Sequence, residues 1–467
     1  MVAAAPLAIT LVHGVLAGGV TVHVLLGKRT AASAVAWIGL AWLTPLLGSC
    51  LYALLGINRV RRRASSLRRR YAPGTPLSPS WAVECSDQLR PLNIAAGKLT
   101  QRALVGGNAV AALRGGDEAY PQMIGAIAEA RYSIALSSYI FRADAAGTPF
   151  LDALASAVRR GVEVRVLIDG FGGDYFRSAA YRRLRLAGVP ASRFLHSPLP
   201  WRMPLLNLRN HKKVLVVDGC RAFTGGLNLG AENVAALTPL SHIRDTHFRI
   251  EGPVVRQIVE AFADDWQFTT GERLAGEAWY PPAIAAGAIP ARVVSSGPDQ
   301  DIGKIEFVTL VALGCARSAV RIMTPYFLPD EQVLTALALA AMRGVTVDLI
   351  LPEHSNHPSV DWASRTRLGA LIEVGCRVWY HGAPFDHSKL MTVDGIWCLI
   401  GSTNWDARSF RLNFELDLEA YDPVLAASLD SLMASQQQRR LGTEELSARS
   451  IPVRLRDSAA HLLQPYL

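Results

Sequence analysis

Arg160-Gly161-Val162-Glu163-Val164-Arg165-Val166-Leu167-Ile168 and Arg343-Gly344-Val345-Thr346-Val347-Asp348-Leu349-Ile350-Leu351 are two almost continuous apolar runs, each entered by the same Arg-Gly pair. A strand with so little polar alternation is buried on both faces, which requires helices above and below its sheet. The flanking sequence agrees. From Ala126 to Asp169 the pattern predicts a helix, a strand over Tyr132–Phe141, a helix over Phe150–Arg159 and a strand over Val162–Asp169. From Val308 to Pro352 the same order recurs, with strands over Val320–Phe327 and Val345–Pro352 around a helix over Glu331–Met342. Two similar α/β units therefore follow one another, offset by 176 to 187 residues. The offset varies because Gly188 to His211 spans 23 residues and Gly375 to His387 only 12. The extra chain, Phe194–Asn207, is rich in Leu and Pro and contains Trp201 and Met203; it reads as a buried loop, as the lining of an acyl-chain entrance or as a segment that touches the membrane.

Each unit carries one copy of a second pattern. His211-x-Lys213-x-x-x-x-Asp218 returns as His387-x-Lys389-x-x-x-x-Asp394, followed at equal distance by Gly225-Gly226-x-Asn228 and Gly401-Ser402-x-Asn404. With 11 His, 6 Lys and 22 Asp in the chain, one such spacing arises by chance about 0.007 times, so two matched copies are no accident. The lysines add weight, because a chain with 42 Arg places two of its six Lys at equivalent positions. A compact ammonium is wanted there rather than a generic cation. On a strand, residues i and i+2 share a face, so each His and Lys project together. Asp218-Gly219 and Asp394-Gly395 have the composition of hairpin turns, which would return Asn228 and Asn404 to the same end. The two aspartates stand in the candidate catalytic set as motif members, but their context favours fixing the turn.

Two imidazoles, two ammoniums and two amides form an anion cradle with a nucleophile and an acid. A phosphodiester needs that combination, since its charge must be neutralised before attack and its leaving alkoxide protonated. The pattern offers no metal-ligand set, so the expected chemistry uses no metal and no cofactor and passes through a phosphohistidine. Cys50, Cys85, Cys220, Cys315, Cys376 and Cys398 lack C-x-x-C spacing and read as small apolar residues in a reducing compartment.

The net charge of +9 is local. Residues 1–70 hold Lys28, Arg29, Arg59, Arg61, Arg62, Arg63, Arg68, Arg69 and Arg70 and no acid, whereas residues 71–467 balance at 39 against 39. A basic face for nucleic acid is thus not indicated. Met1–Gly27 and Thr30–Asn58 are free of charge, and each exceeds the ~20 residues that cross a bilayer. Two membrane helices in a hairpin are expected, with seven arginines at the exit placing the large C-terminal part in the cytoplasm. The same arginines either attract anionic headgroups or only orient the anchor. The domains expected are 1–58 (two transmembrane helices), 59–84 (Arg-rich segment and Pro-rich linker), 85–285 (first half) and 286–467 (second half).

The duplicated motif resembles the phospholipase D superfamily over residues ~100–440. Tyr139-Ile140-Phe141, Arg209-Asn210-His211, Arg244-Asp245-Thr246-His247, Thr324-Pro325-Tyr326-Phe327-x-Pro329-Asp330 and Arg408-Ser409-Phe410-x-Leu412-Asn413-x-Glu415 resemble bacterial cardiolipin synthases more narrowly. The resemblance implies a duplicated phospholipase D-type α/β/α sandwich with a pseudo-twofold active site. It also implies an enzyme of the bacterial inner membrane that moves a phosphatidyl group between two phosphatidylglycerol molecules, giving cardiolipin and glycerol. Carried over, it makes His211 the nucleophile and His387 the acid and then the base, with Lys213, Lys389, Asn228, Asn404 and Ser402 at the phosphate. Glu415 and Asp245 become carboxylate partners of the motif histidines, favouring their protonated form. Gly226, lacking the hydroxyl of Ser402, would make the halves unequal at the phosphate. Asn356-His357 weakly resembles a polar element of the family to which no role is assigned, and His354 and His357 read as loop residues rather than catalytic ones. Hydrolysis by a phospholipase D, or transfer to another alcohol such as phosphatidylethanolamine, uses the same residues; the oligomeric state is not readable.

Overall fold

The computed structural model describes residues 4–27, 31–53, 81–196, 208–297, 303–462 and 464. The Arg59–Arg70 cluster, most of the Pro-rich linker and residues 197–207 of the inserted segment lie outside the described residues. Two compact units result, Met1–Ser66 and Leu67–Leu467.

In the first unit, helix Ala4–Leu26 contains a span, Ala8–Leu26, long and apolar enough to cross a membrane. The second apolar run, described over residues 31–53, forms no helix of matching length there. Its helix, Ala31–Leu43, has 13 residues, a rise of ~20 Å against a hydrocarbon core of ~30 Å. Pro45 is the cause: it lacks an amide hydrogen and drives the preceding residue out of helical geometry. The chain turns at Pro45 and Leu46, where Leu46 takes φ 60°, before the short helix Leu47–Leu51. That turn brings Tyr52 onto His23 (Nδ1 to hydroxyl, 2.5 Å) and against the ring of Trp37. Ala17, Val20, Val24, Ala41 and Tyr52 form the small core between the helices.

The strands of the second unit, in chain order, are β1 (Val105–Arg114), β2 (Ser133–Ser138), β3 (Glu163–Asp169), β4 (Ala191–Phe194), β5 (Arg209–Asn210), β6 (Val214–Val217), β7 (Arg221–Gly225), β8 (Thr246–Glu251) and β9 (Ile289–Ser296). They continue as β10 (Ala319–Met323), β11 (Phe327–Leu328), β12 (Thr346–Pro352), β13 (Arg377–His381), β14 (Leu390–Val393), β15 (Trp397–Gly401), β16 (Trp405–Asp406), β17 (Asn413–Ala420) and β18 (Arg439–Arg440). One sheet runs β18-β13-β12-β10-β14-β15-β17-β9-β1-β8-β7-β6-β2-β3-β4. Read outward from the antiparallel β9–β1 seam, the seven strands β9-β17-β15-β14-β10-β12-β13 repeat the seven strands β1-β8-β7-β6-β2-β3-β4. The duplication is therefore a pseudo-twofold about that seam, and the two apolar runs that open the sequence argument become its equivalent parallel strands β3 and β12, paired with β2 and β10.

Burial explains the apolar runs. Ile134, Leu136, Val164, Val166, Leu215 and Val217 share one core with Phe150, Leu151 and Leu154 of helix Gly147–Arg159. The alternate residues Ala135, Leu167, Val214 and Val216 are buried as well, on the opposite face of the sheet. Each such aliphatic side chain contributes ~1.5–3 kcal/mol on burial.

Two strands stop earlier than their composition suggests. The run Tyr132–Phe141 is a strand only over Ser133–Ser138, and Val320–Phe327 only over Ala319–Met323. Pro325 has no amide hydrogen for the ladder, and in both halves the chain bends there. Phe141 then bridges Leu229, and β11 pairs with β16. These bends turn Tyr139 and Tyr326 toward the histidines.

Candidate active site

The His-x-Lys segments precede β6 and β14 instead of lying on them. Each is held by a segment from the other half. β5 runs parallel to the start of β17, pairing Arg209 with Asn413 and Asn210 with Phe414, and the His211 amide donates to Phe414 O at 2.9 Å. In mirror fashion Arg244 bridges Asp386, and the His387 amide donates to Arg244 O at 2.7 Å.

This exchange places each carboxylate behind the histidine of the opposite half. Glu415 Oε2 lies 3.0 Å from His211 Nδ1, and Asp245 Oδ2 lies 2.9 Å from His387 Nδ1. Ser402 O, a second acceptor, stands 3.1 Å from His211 Nδ1. With two acceptors on Nδ1, that nitrogen carries the proton and Nε2 keeps its lone pair.

The lysines complete the centre and are unequal. Lys213 Nζ donates to His211 O at 2.7 Å and stands over the Tyr139 ring. Lys389 Nζ lies against the His387 ring itself, 2.7 Å from Nδ1 and 3.1 Å from Nε2, and also donates to His387 O. All six groups are buried or nearly so, and burial governs their protonation. It lowers Lys213 to about 7 and Lys389 to about 8, and raises Asp245 and Glu415 to about 7. Both imidazoles are held well below their ordinary value, by burial first and then by the two ammoniums. Burial and the two neighbouring ammoniums, rather than the carboxylate partners, thus set the direction for both imidazoles.

The motif's other members divide. Asn228 and Asn404 line a cavity of about 720 Å³ together with His211 and His387. The Asn228 Oδ1 accepts from Ile140 N at 3.3 Å, whereas Asn404 Oδ1 is buried with no partner among the described residues. Ser402 faces inward: its hydroxyl donates to Glu415 Oε2 at 2.5 Å and accepts from Leu416 N. At the equivalent point Gly226 leaves room, since a Cβ there would lie 2.2 Å from either Asp245 carboxylate oxygen. The inequality of Ser402 and Gly226 therefore bears on the carboxylates behind the histidines.

Asp218 and Asp394 do not join this centre, which corrects their place in the catalytic set. They occupy the turns at the far ends of β6 and β14, at φ 50° and 52°, each followed by a glycine of positive φ. Asp218 accepts the backbone amides of Arg131, Tyr132 and Ser133, and Asp394 those of Arg317, Ser318 and Ala319. They tie each hairpin to the start of β2 or β10.

Other residues enter the cavity unannounced by the motif. Tyr139 and Tyr326 pack edge-on against His211 and His387, at 5.1 and 5.8 Å between ring centres. Their equivalent places after β2 and β10 are the sequence signal that identifies them. Asn356 and His357, the weak match to a polar family element, line the same cavity; Asn356 Oδ1 accepts from the Tyr326 hydroxyl at 2.5 Å. Asn413 Nδ2 holds the second oxygen of Glu415 at 3.1 Å. Arg209 and Arg408 also reach the wall. Among the described residues no group of three or more His, Cys, Asp or Glu is placed to hold a metal.

Two α/β halves sharing one pair of His-x-Lys segments define a phospholipase D-like protein. Residues 123–266 and 310–436 match the family model described as "Cardiolipin synthase, PLD-like domain", and the chain belongs to that family. It is 31% identical over 454 residues to a cardiolipin synthase of Geobacillus kaustophilus, covering 95% of this chain and 90% of that protein. It is 29% identical over 462 residues to the major cardiolipin synthase of Bacillus subtilis, covering 94% and 95%. Among solved structures, a phosphatidylserine synthase of Haemophilus influenzae has a similar fold, with a TM-score of 0.62 and 17% identity over 80% of this chain and 100% of that one.

Proposed function

We propose that the protein is a cardiolipin synthase, transferring a phosphatidyl group from one phosphatidylglycerol to another. The observation that carries this reading is the crossed pair His211–Glu415 and His387–Asp245 facing one cavity beside two buried lysines. His211, with Nδ1 held by two acceptors, presents the Nε2 lone pair to phosphorus. As the P–N bond forms, the P–O bond to the glycerol headgroup breaks and His387 gives its proton to the leaving oxygen. The arriving phosphodiester anion offsets the two ammoniums and so favours the His387 imidazolium that this step needs. The glycerol hydroxyl of the second lipid then returns a proton to His387 and attacks phosphorus, the P–N bond breaks, and cardiolipin leaves. Lys213, Lys389, Asn228 and Asn404 hold the phosphoryl oxygens as charge develops.

The partition into halves at residues 85–285 and 286–467 is supported by the β9–β1 seam. Anchoring in the bacterial inner membrane, with the catalytic part cytoplasmic, is supported by the span Ala8–Leu26 and by the arginines at 59–70. A two-crossing hairpin puts Lys28 and Arg29 outside. External labelling of a cysteine introduced at Arg29 would support it; labelling only after permeabilisation would leave one crossing.

The decisive experiment gives purified protein phosphatidylglycerol alone, with and without a chelator, and identifies the lipid formed. Cardiolipin and glycerol in equal amounts are expected in both cases. Phosphatidic acid as the main product would assign hydrolysis instead.

A further inference from the structure

The pseudo-twofold that generates the histidine pair is broken in the cavity wall, and the break is one of charge. Arg209 lies two residues before His211; the equivalent position before His387 is Phe385. Arg408 lies four residues after Asn404; the equivalent position after Asn228 is Glu232, which is neutralised by Arg142 at 3.2 Å. Four equivalent positions thus give two guanidiniums on one flank and an aromatic ring with an ion-paired acid on the other. All but Phe385 line the cavity.

The two guanidiniums gather on the His211 flank. Arg209 is stacked at 3.8 Å on the ring of Phe171 and lies within hydrogen-bonding reach of the Tyr139 hydroxyl. Arg408, from the second half, is lowered by burial and then by the charge of Arg209, and its own charge is felt by Tyr139 and His211. Asp406 and Asp169 stand near them: Asp406 also caps the Ser409 amide, Asp169 also accepts the amides of Phe171, Gly172 and Asn210, and both carboxylates act on Arg408. Both guanidiniums nevertheless line the cavity on one flank, where an entering anion meets them together.

The proposed reaction brings an anion to that flank. The phosphodiester that reacts is neutralised by the symmetric lysines. The acceptor lipid brings a second phosphodiester, one glycerol unit away from the hydroxyl that attacks, and this group stays intact throughout. We propose that Arg209 and Arg408 form a second phosphate subsite, which binds the unreacting phosphodiester of the acceptor phosphatidylglycerol and of the cardiolipin product. Planar guanidiniums suit a phosphate oxygen pair. The placement depends only on the second phosphate being one glycerol from the first, and not on which histidine attacks. The subsite rests on the phosphatidyl-transfer reading and explains how such a centre favours a lipid alcohol over water or free glycerol.

The test compares two acceptors on one donor. Full-length protein in phosphatidylglycerol vesicles is given labelled glycerol, and two rates are measured: cardiolipin formation, and glycerol exchange into phosphatidylglycerol. Exchange uses the same phosphoenzyme but an acceptor without a phosphate. In Arg209→Gln, Arg408→Gln and the double variant, the ratio of cardiolipin formation to exchange is expected to fall at least about tenfold. Arg→Lys at either position should restore part of it, since the charge returns without the fork. An unchanged ratio, whether both rates fall together or neither does, overturns the subsite. Failure of the parent reading looks different: the unsubstituted protein then forms no cardiolipin at all.

Discussion

Glu415 of β17 lies 3.0 Å from Nδ1 of His211, although 204 residues separate them and each belongs to a different half. Asp245 and His387 repeat the relation at 2.9 Å in the opposite sense. Each half thus supplies one motif imidazole and the carboxylate beside the other one, so neither half holds a complete His–carboxylate pair.

Asp245→Asn and Glu415→Gln keep the size of each side chain and remove its charge. Turnover is expected to fall on the order of 10²–10⁴-fold, as for a histidine that has lost its orienting anion. The melting temperature should change little, because desolvation of a carboxylate is relieved at the same time. Measuring kcat and Tm on the same preparations checks both parts; a variant that loses activity only by unfolding would contradict the assignment.

The pH profile follows from the buried charges. As pH rises through about 7 to 8, Lys213 and then Lys389 lose their protons and the cradle loses its attraction for phosphate. As pH falls through about 7, Asp245 and Glu415 become neutral and no longer stabilise an imidazolium. The four groups titrate as one cluster, so kcat/KM should be bell-shaped with its maximum near neutrality. In Lys213→Arg the cation cannot be titrated away, and any activity remaining should extend to higher pH. An alkaline limb that does not move would remove Lys213 from the cradle.

Asp218→Ala and Asp394→Ala are expected to destabilise the fold by ~1–3 kcal/mol each, since three backbone amides lose their acceptor. Turnover of the folded fraction at low temperature should persist. Burial pushes the Asp394 carboxyl up, but the amides of Ala319, Ser318 and Arg317 outweigh it and hold it below its ordinary value. Its contribution is therefore present at neutral pH and lost as pH falls through that lowered value. Denaturant melts at neutral and acid pH, with and without Asp394→Ala, measure it.

The parts of the fold legible in the sequence are those set by local pattern. The apolar runs of β3 and β12 and the Asp-Gly turns appear where residue type alone demands them. The motif spacing likewise brought His211, Lys213, His387 and Lys389 to one site. Legibility fails where a partner comes from afar. Nothing near Ser402 in sequence says that its hydroxyl turns to Glu415, and nothing near Asp218 says that its carboxylate reaches Arg131–Ser133. Charge counting gives the length of the second apolar run but not the break that Pro45 puts in its helix. Arg209 and Arg408 were visible as letters, but their convergence needs the β5–β17 pairing that brings the two halves together.

The last prediction exploits the second position of Gly-[Gly/Ser]-x-Asn, where one motif copy has Gly226 and the other Ser402. Replacing Gly226 by the residue its counterpart carries, Gly226→Ser, makes the copies alike at that position yet should impair catalysis. The added Cβ would meet both Asp245 oxygens at 2.2 Å, well inside contact, and the carboxylate must leave His387 to avoid it. The expected loss matches that of Asp245→Asn, on the order of 10²-fold or more. Ser402→Ala removes one hydrogen bond to a Glu415 still held by Asn413, and should cost about tenfold. If Gly226→Ser were as active as the parent, Asp245 would not be the anion that positions His387. Comparing the two variants on phosphatidylglycerol vesicles therefore tests the crossed carboxylate arrangement from both sides of the pseudo-twofold.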